Sequence, residues 1–503
     1  MAFTHKFSLA LLFGIFLSFG LFAQEKNDSS KIPAAKSFVT FHQGIFGGKN
    51  IRYKATAKET YLKNDKGEAV ASIWSVAYTL EGTTDQSKRP VTFVFNGGPG
   101  SASIWLHMGM FGPKMVKVDS DAKKDDGAAP YTLLDNKETI LDLSDLVFID
   151  PVGTGYSRVV GNGKVEDYWG LKEDAASIAK FMRTWVTENK RWISPKYIAG
   201  ESFGTTRAAA VANALERDGQ TMDLNGLILI SQALDYTGST SVHDNITSYL
   251  TYLPSMAATA WYHKKAGQGK ALEVFIEECR KFTYDVYAPA LYRGNLLSTA
   301  EQSALAERLA YFIGLDKNYI LKSNLTVLMH RFQKQLLADQ GLAIGRLDGR
   351  FMGDEADKVS EGPDLGDPSD YQIAGAYTAA LNHYLASSLR VDMDRPYLTS
   401  NDEVGEKWRW RPVPDGQYWE PMPVNVARQL GETMRRNTAM KVLVASGYYD
   451  LICPFFDTEY TFARNGIVKE RVTKTYYEAG HMMYLHEPDR LKLAVDVRKF
   501  FGE

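Results

Sequence analysis

The stretch Gly200-Glu201-Ser202-Phe203-Gly204 decides the fold. It matches the pattern G-x-S-x-G, in which a serine lies on a sharp turn between a strand and a helix. The apolar run at residues 197–199 predicts the strand, and the Ala-rich segment at residues 205–217 predicts the helix. Such a turn exposes the serine hydroxyl above the edge of a sheet. The alternative is a glycine-rich turn in which Ser202 only caps the helix.

Further apolar runs on both sides of this turn predict strands, since they are short and bounded by turn residues. They lie at residues 91–95, 146–149, 227–230, 442–445 and 473–477. Helical patterns at residues 173–188 and 424–436 lie between them. Strands that alternate with helices predict a mostly parallel sheet with helices on both faces. Residues 39–79 instead alternate apolar and polar residues, as an antiparallel extension would. Together with the serine turn, this favours the α/β-hydrolase fold.

One long segment interrupts this alternation. Residues 236–420 are helix-rich, with helical patterns at residues 269–283 and 300–312 and loops at residues 341–353 and 364–370. We therefore expect one core, made of residues 37–235 and 421–503, with a helical cap inserted between its two parts.

The N-terminal residues have a different character. A weakly basic start precedes sixteen uncharged residues, 7–22, which is typical of a secretory signal peptide over residues 1–23. An uncleaved anchor is the alternative, but the run is shorter than the about 20 apolar residues of a membrane span. Residues 24–36 are polar and are expected to form a flexible lead-in. We expect an exported protein, periplasmic or extracellular, without a stable membrane span.

Composition excludes several classes of protein. The chain has 503 residues, of which 45% are hydrophobic and 23% charged, so disordered, collagen-like and coiled-coil classes do not fit. A net charge of −2 argues against a nucleic-acid partner. The chain has only two cysteines, Cys279 and Cys453, which excludes a disulfide scaffold. They could form at most one bridge, and the sequence does not say whether it forms. No pattern calls for a metal or a cofactor, and the oligomeric state is not readable.

A serine nucleophile needs a histidine base, which an acid orients. In this fold the three follow each other in the order Ser, Asp or Glu, His. His481 follows the last predicted strand, whereas the competing His486 is expected to have a surface or capping role. Asp450 follows the strand before it, with Asp457 as the alternative. We predict a catalytic triad of Ser202, Asp450 and His481.

A glycine-rich loop supplies candidate donors for a developing oxyanion. Asn96-Gly97-Gly98-Pro99-Gly100 follows the predicted strand at residues 91–95, and its glycines let backbone N–H groups point into a site. We predict an oxyanion hole formed by the N–H groups of Gly98 and Phe203. The alternative is a tight loop without a catalytic role.

Five stretches, in this order along the chain, resemble the serine carboxypeptidase family of carboxypeptidase Y type. They are residues 96–100, 150–157 (DPVGTGYS), 200–204, 450–453 and 480–482. The resemblance runs from about residue 40 to the C-terminus and covers the core better than the insertion. Residues 345–349 (GRLDG) resemble a stretch in bacterial members, to which we assign no role.

The resemblance implies roles for individual residues. It implies the triad Ser202, Asp450 and His481, and it implies that Asn96, the Gly97 N–H and Glu201 bind the substrate's C-terminal carboxylate. A carboxylate facing Glu201 binds well only when the pair shares a proton. Activity should therefore favour mildly acidic pH, as in the family.

Three positions depart from the family pattern. Ser101 stands where members often have a disulfide-bonded cysteine, and Val94 stands where tryptophan is usual. Met110 occupies the position of a further glutamate that assists carboxylate binding. Recognition of the terminal carboxylate then rests on fewer groups than in other members.

We expect an exported serine carboxypeptidase that cleaves peptides through an acyl-enzyme on Ser202. One alternative is an esterase, acyltransferase or N-terminal-proline-removing peptidase on the same fold; the proline-removing enzymes have His where this loop has Asn96. A non-catalytic binding protein is the alternative from another class. Cys453 follows Asp450 by three residues, so we expect it to be a free thiol near the site.

Overall fold

The structure is a computed structural model, and it describes residues 32–123, 127–217, 219–410 and 424–503. The predicted signal peptide at residues 1–23, and the lead-in up to residue 31, lie outside the described residues. Within the described parts, no helix combines the length and the apolar character needed to cross a membrane.

A ten-stranded sheet forms the centre of the described structure, in the order β1-β2-β3-β7-β4-β9-β10-β13-β14 with β8 paired to β3. The strands, including two separate hairpins, are β1 (Ser37–Phe46), β2 (Lys49–Lys63), β3 (Ala69–Leu80), β4 (Val91–Phe95), β5 (Lys114–Val116), β6 (Leu133–Asp135), β7 (Asp145–Asp150), β8 (Arg158–Val159), β9 (Lys196–Ser202), β10 (Gly226–Gln232), β11 (Leu342–Ile344), β12 (Met352–Asp354), β13 (Lys441–Gly447) and β14 (Val472–Tyr477). Strands β7, β4, β9, β10, β13 and β14 are parallel to one another. Strands β1 to β3 form the predicted antiparallel extension.

In the predicted core, α-helices occur where the sequence predicted them, and the described residues of the predicted insertion are mostly helical. The α-helices of the described residues are α1 (Ile104–Leu106), α2 (Leu171–Glu188), α3 (Phe203–Leu215), α4 (Tyr236–Ser239), α5 (Ile246–Tyr262), α6 (Leu272–Phe282), α7 (Ala288–Arg293), α8 (Thr299–Ile313), α9 (Lys317–Lys322), α10 (Met329–Gln335), α11 (Pro368–Tyr371), α12 (Ala374–Ser387), α13 (Asp402–Glu406), α14 (Ala427–Arg436), α15 (Phe455–Phe462) and α16 (Glu487–Phe501). A π-helix (His107–Phe111) continues α1, and a 3₁₀-helix (Met483–Leu485) precedes α16.

Both faces of the sheet are covered. In β10, Leu227 and Leu229 pack into one hydrophobic cluster with residues of α2, α3 and α14. Ile228 and Ile230, which alternate with them, pack into the opposite cluster with residues of α16. Because successive strand residues point to opposite faces, this alternation places helices on both sides. The predicted α/β-hydrolase fold is confirmed.

Most members of a third hydrophobic cluster come from the segment predicted to be an insertion, and the others follow β13. Phe275 and Phe312 lie in that cluster with Leu451 and Phe455, which follow β13. The predicted loop at residues 341–353 is wrong in part, because it contains the antiparallel hairpin of β11 and β12. These strands have three residues each, which is too short to show an alternating pattern.

Candidate active site

Ser202 lies at the junction of β9 and α3 in a conformation that side chains rarely adopt. Its backbone angles are φ 60° and ψ −131°, and strand β9 ends at Ser202 while α3 begins at the next residue. A non-glycine residue at positive φ is strained, and such strain clusters at functional sites. The side chain is partly exposed, so its hydroxyl is accessible at the carboxyl end of the parallel sheet.

Asp450 and His481 form a buried pair after β13 and β14. His481 Nδ1 and Asp450 Oδ2 are 2.8 Å apart, and the two side chains are 3% and 0% exposed. Asp450 Oδ1 accepts hydrogen bonds from the N–H groups of Ile452 (2.8 Å) and Cys453 (2.9 Å). Burial alone would lower the pKa of His481, but the charge and hydrogen bond of Asp450 outweigh it and raise the pKa above its usual value. Asp450 is therefore placed to orient the ring and to stabilise its protonated form.

The competing residues point elsewhere. His486 pairs with Asp489 at 2.8 Å, next to the start of α16. Asp457 is buried and accepts a hydrogen bond from Gln232 Nε2 at 3.3 Å.

Among the described residues, no hydrogen bond joins Ser202 to His481, although both follow strands of the same sheet edge. Such bonds are often long before substrate binds.

The glycine loop packs directly against the serine turn. A Cβ added to Gly97 would lie 2.5 Å from the Phe203 nitrogen and 2.8 Å from the Glu201 carbonyl oxygen, so only glycine allows this approach. Phe203 is the first residue of α3, and an N–H at that position has no partner inside its helix. The Phe203 nitrogen thus lies next to Gly97 of the glycine loop and directly after Ser202.

Asn96 connects this loop to the residue before the serine. Its Nδ2 donates to Glu201 Oε1 at 2.9 Å, and its Oδ1 accepts from the Leu106 N–H at 3.0 Å. Arg207 donates to the Asn96 carbonyl at 2.5 Å and to Asp174 at 2.6 Å. Arg207 was not among the predicted site residues, although a single arginine within an Ala-rich helix was a visible signal.

Glu201 is buried beside the Asp450–His481 pair. Burial, with a further contribution from the charge of Asp450, raises the pKa of Glu201 to about 7. His481, Tyr484 and Asn96 lower this pKa, but their effects are smaller than that of burial. At mildly acidic pH the side chain is therefore mostly protonated, as the proton-sharing argument requires. Its Oε2 has no hydrogen-bond partner among the described residues.

A loop of the predicted insertion contacts the two loops that carry Asp450 and His481; we call residues 346–349 the clamp loop. The His481 N–H donates to the Leu347 carbonyl at 2.6 Å, and the Gly480 N–H donates to Asp348 Oδ2 at 3.1 Å. On the other side, the Leu451 N–H donates to the Arg346 carbonyl at 3.0 Å. The clamp loop thus connects the residue after Asp450 with His481 itself, a function that the sequence analysis did not assign.

Two aspartates hold the clamp loop in place. Asp367 accepts hydrogen bonds from the N–H groups of Arg346 (3.0 Å) and Leu347 (2.9 Å). Asp348 is buried and forms an ion pair with Arg350 at 2.7 Å. Both anchors lie within the predicted insertion, so this segment holds its own contact with the triad candidates in place.

The two cysteines are both buried and free, so they form no bridge. Cys453 lies beside Asp450, as expected, and burial raises the pKa of its thiol well above the usual value. In the described part of the chain, one group could hold a metal by residue type: Asp450, Cys453 and His481, with ligand atoms within 4.8 Å of one another. The Asp450–His481 hydrogen bond already accounts for that proximity.

Met110 supplies no polar group to the site. Its side chain is buried in a hydrophobic cluster of the core, and its carbonyl accepts from Asn136 Nδ2 at 2.7 Å. The position at which the resemblance implies a further glutamate is therefore filled by an apolar side chain.

The strained serine, the aspartate–histidine pair and the adjacent glycine loop, all at one edge of a mostly parallel sheet, are the arrangement of the α/β hydrolases. A family model described as "Serine carboxypeptidase" matches residues 77–493. The chain belongs to the serine carboxypeptidase family.

Individual relatives match over parts of the chain. "Pheromone-processing carboxypeptidase kex1" of Aspergillus terreus is 29% identical over 161 residues, which cover 31% of this chain and 23% of that protein. "Serine carboxypeptidase-like 36" of Arabidopsis thaliana is 26% identical over 216 residues, covering 42% of this chain and 39% of that protein. These matches span well under half of the relatives' lengths.

A solved structure supports the fold. The crystal structure of the prohormone-processing carboxypeptidase Kex1(delta)p from Saccharomyces cerevisiae superposes with a TM-score of 0.56 at 16% identity, covering 90% of this chain and 91% of that chain. At this identity the likeness concerns the fold.

Proposed function

We propose that this protein is an exported serine carboxypeptidase, which removes the C-terminal residue of peptides at mildly acidic pH. The observation that carries the proposal is the buried Asp450–His481 pair at the same end of the parallel sheet as the strained Ser202. Membership of the serine carboxypeptidase family supports the reaction class. The predicted signal peptide at residues 1–23 supports export.

The reaction proceeds through an acyl-enzyme. Ser202 Oγ attacks the last peptide carbonyl while its proton passes to His481, whose ring Asp450 holds through Nδ1. The N–H groups of Gly98 and Phe203 stabilise the oxyanion. His481 then protonates the leaving amino group, and the peptide C–N bond breaks. Water, deprotonated by His481, releases the shortened peptide and restores Ser202.

The terminal carboxylate of the substrate binds at Asn96, the Gly97 N–H and Glu201. The raised pKa of Glu201, about 7, supports this assignment because a protonated carboxyl group can share its proton with the substrate. Above pH 7 the two groups would carry like charges and repel each other. The carboxylate requirement makes the enzyme an exopeptidase.

We further propose that residues 236–420 are a cap inserted into a core of residues 37–235 and 421–503. The clamp loop supports a direct contribution of this cap to the site. The names of the relatives, a pheromone-processing carboxypeptidase among them, support peptides as the substrate class.

Probe labelling and peptide trimming test the proposal. A phosphonate probe should label Ser202, and mass spectrometry should show an unblocked peptide losing residues one at a time from its C-terminus. The same peptide with a C-terminal amide should be trimmed far more slowly, whereas N-terminal acetylation should have no effect. Dependence on a free N-terminus would favour a proline-removing peptidase instead. Labelling without any trimming would favour an esterase or acyltransferase, and no labelling a binding protein.

A further inference from the structure

Two buried polar atoms at the site lack partners. The Tyr484 hydroxyl and the Glu201 carboxyl group lie close enough to interact with each other, but neither Tyr484 Oη nor Glu201 Oε2 has a partner at full hydrogen-bond geometry within the described parts of the chain, and each residue is only 3% exposed. Burying a carboxyl oxygen or a hydroxyl without a partner is unfavourable, so native proteins satisfy nearly all such groups. Orphan groups of this kind point to a ligand that supplies the missing hydrogen bonds.

The position of Tyr484 is fixed by its neighbours in the fold. It lies in the 3₁₀-helix (Met483–Leu485) that follows His481. Its ring rests on the π-helix at Gly109, where an added Cβ would lie 2.5 Å from Tyr484 Cε2 and 2.6 Å from Tyr377 Oη. Glycine at residue 109 therefore provides the space through which the tyrosine ring reaches the site.

Four residues act on Glu201, and one of them, Tyr484, has a hydroxyl without a partner at full hydrogen-bond geometry. The four are His481, Tyr484, Asp450 and Asn96. Asn96 already occupies Oε1, and His481 and Asp450 bond each other. Burial and the charge of Glu201 both raise the pKa of Tyr484, which keeps its O–H protonated as a donor.

We propose that Tyr484 is a specificity-determining residue, whose hydroxyl donates to the terminal carboxylate of a bound peptide while Glu201 Oε2 shares a proton with the same carboxylate. The ligand class is a peptide with a free α-carboxylate, so the inference rests on the proposed carboxypeptidase function. The carboxylate satisfies both orphan atoms at once. A peptide amide has a single acceptor oxygen, which cannot accept from the Gly97 N–H, the protonated Glu201 and the Tyr484 hydroxyl together, whereas the two oxygens of a carboxylate can.

The test compares one peptide as its free acid and as its C-terminal amide. Tyr484→Phe removes only the hydroxyl and leaves the ring against Gly109. The ratio of kcat/KM for acid over amide should fall about 10- to 100-fold, the effect of one hydrogen bond to a charged group. The loss should be in KM for the acid, while phosphonate labelling of Ser202 stays unchanged.

Tyr384→Phe is the matched control. Tyr384 is also buried, and its Oη likewise has no partner at full hydrogen-bond geometry among the described residues, but the hydroxyl it interacts with is that of Tyr78 rather than the carboxyl group of Glu201. This variant should keep the wild-type ratio. Gly109→Ala provides a second test, since its Cβ displaces the Tyr484 ring and should lower the ratio with the hydroxyl still present.

The outcomes separate the two hypotheses. If the wild-type enzyme shows no preference for the free acid, the proposed function fails and the inference fails with it. If the wild type prefers the acid but folded Tyr484→Phe and Gly109→Ala both keep that preference, the inference alone is wrong. A shifted pH profile with an unchanged ratio would also contradict it, because the hydroxyl would then act on Glu201 only.

Discussion

The proposed core and the proposed insertion contribute to the candidate site by different means. The core contributes side chains at strand ends, such as Ser202 after β9 and Asp450 after β13. The clamp loop of the insertion contributes mainly backbone atoms, since the Arg346 and Leu347 carbonyls accept the N–H groups of Leu451 and His481. Side-chain chemistry restricts residue type and so leaves a sequence motif. A backbone carbonyl can come from almost any residue, which leaves no such motif.

Loss of the core nucleophile should have the largest effect. Ser202→Ala removes the attacking oxygen, and kcat for peptide hydrolysis should fall on the order of 10⁴-fold or more. Steady-state kinetics with a C-terminally unblocked peptide measure this, and circular dichroism confirms that the variant is folded. Activity close to wild type would remove Ser202 from the mechanism.

A change confined to the insertion should have a smaller but measurable effect on catalysis. Asp367→Ala removes the acceptor that anchors the N–H groups of Arg346 and Leu347, so the clamp loop and His481 lose their fixed position. We expect kcat to fall about 10-fold with little change in KM, because a misplaced base raises the barrier by about 1.4 kcal/mol.

Asp316→Ala is the matched control for that variant. Like Asp367, Asp316 is an N-cap aspartate of the insertion, and it accepts the Tyr319 N–H at 3.0 Å at the start of α9. Loss of such a cap costs about 1 kcal/mol of stability. Its kcat should nevertheless remain at the wild-type value. Equal kcat in both variants would show that the clamp loop does not position His481.

Most of the fold was predictable because strands and helices of the core have distinct periodicities. The strand at residues 91–95 was predicted with its observed bounds, and α3 follows the serine turn as expected. The triad candidates were predictable because each follows a strand, whereas Arg207 and Tyr484 act through contacts between elements distant in sequence. A single amino-acid sequence contains no pattern from which such contacts can be predicted.

The pH dependence should distinguish Glu201 from the triad candidates. Its raised pKa of about 7 means that Glu201 keeps its proton at pH 5 and loses it as the pH rises through 7. Glu201→Gln should therefore lower kcat/KM about fivefold near pH 5 and much less near pH 8, where the wild-type carboxylate repels the substrate. A pH series of kcat/KM measures this, with the peptide amide as control. Parallel profiles for both enzymes would refute proton sharing.

The smallest effect should come from the free thiol of the core. Burial raises the pKa of Cys453 well above its usual value, so the thiol is protonated and takes no nucleophilic part. Cys453→Ala should change kcat/KM by no more than about twofold, because the backbone N–H of residue 453 still donates to Asp450. A mercurial should inhibit the wild type only slowly, because the thiol is buried and protonated, but a bulky group on this sulfur should then displace the Asp450 loop, and Cys453→Ala should stay active. Inhibition of both would instead assign the effect to Cys279, which lies in α6 of the insertion.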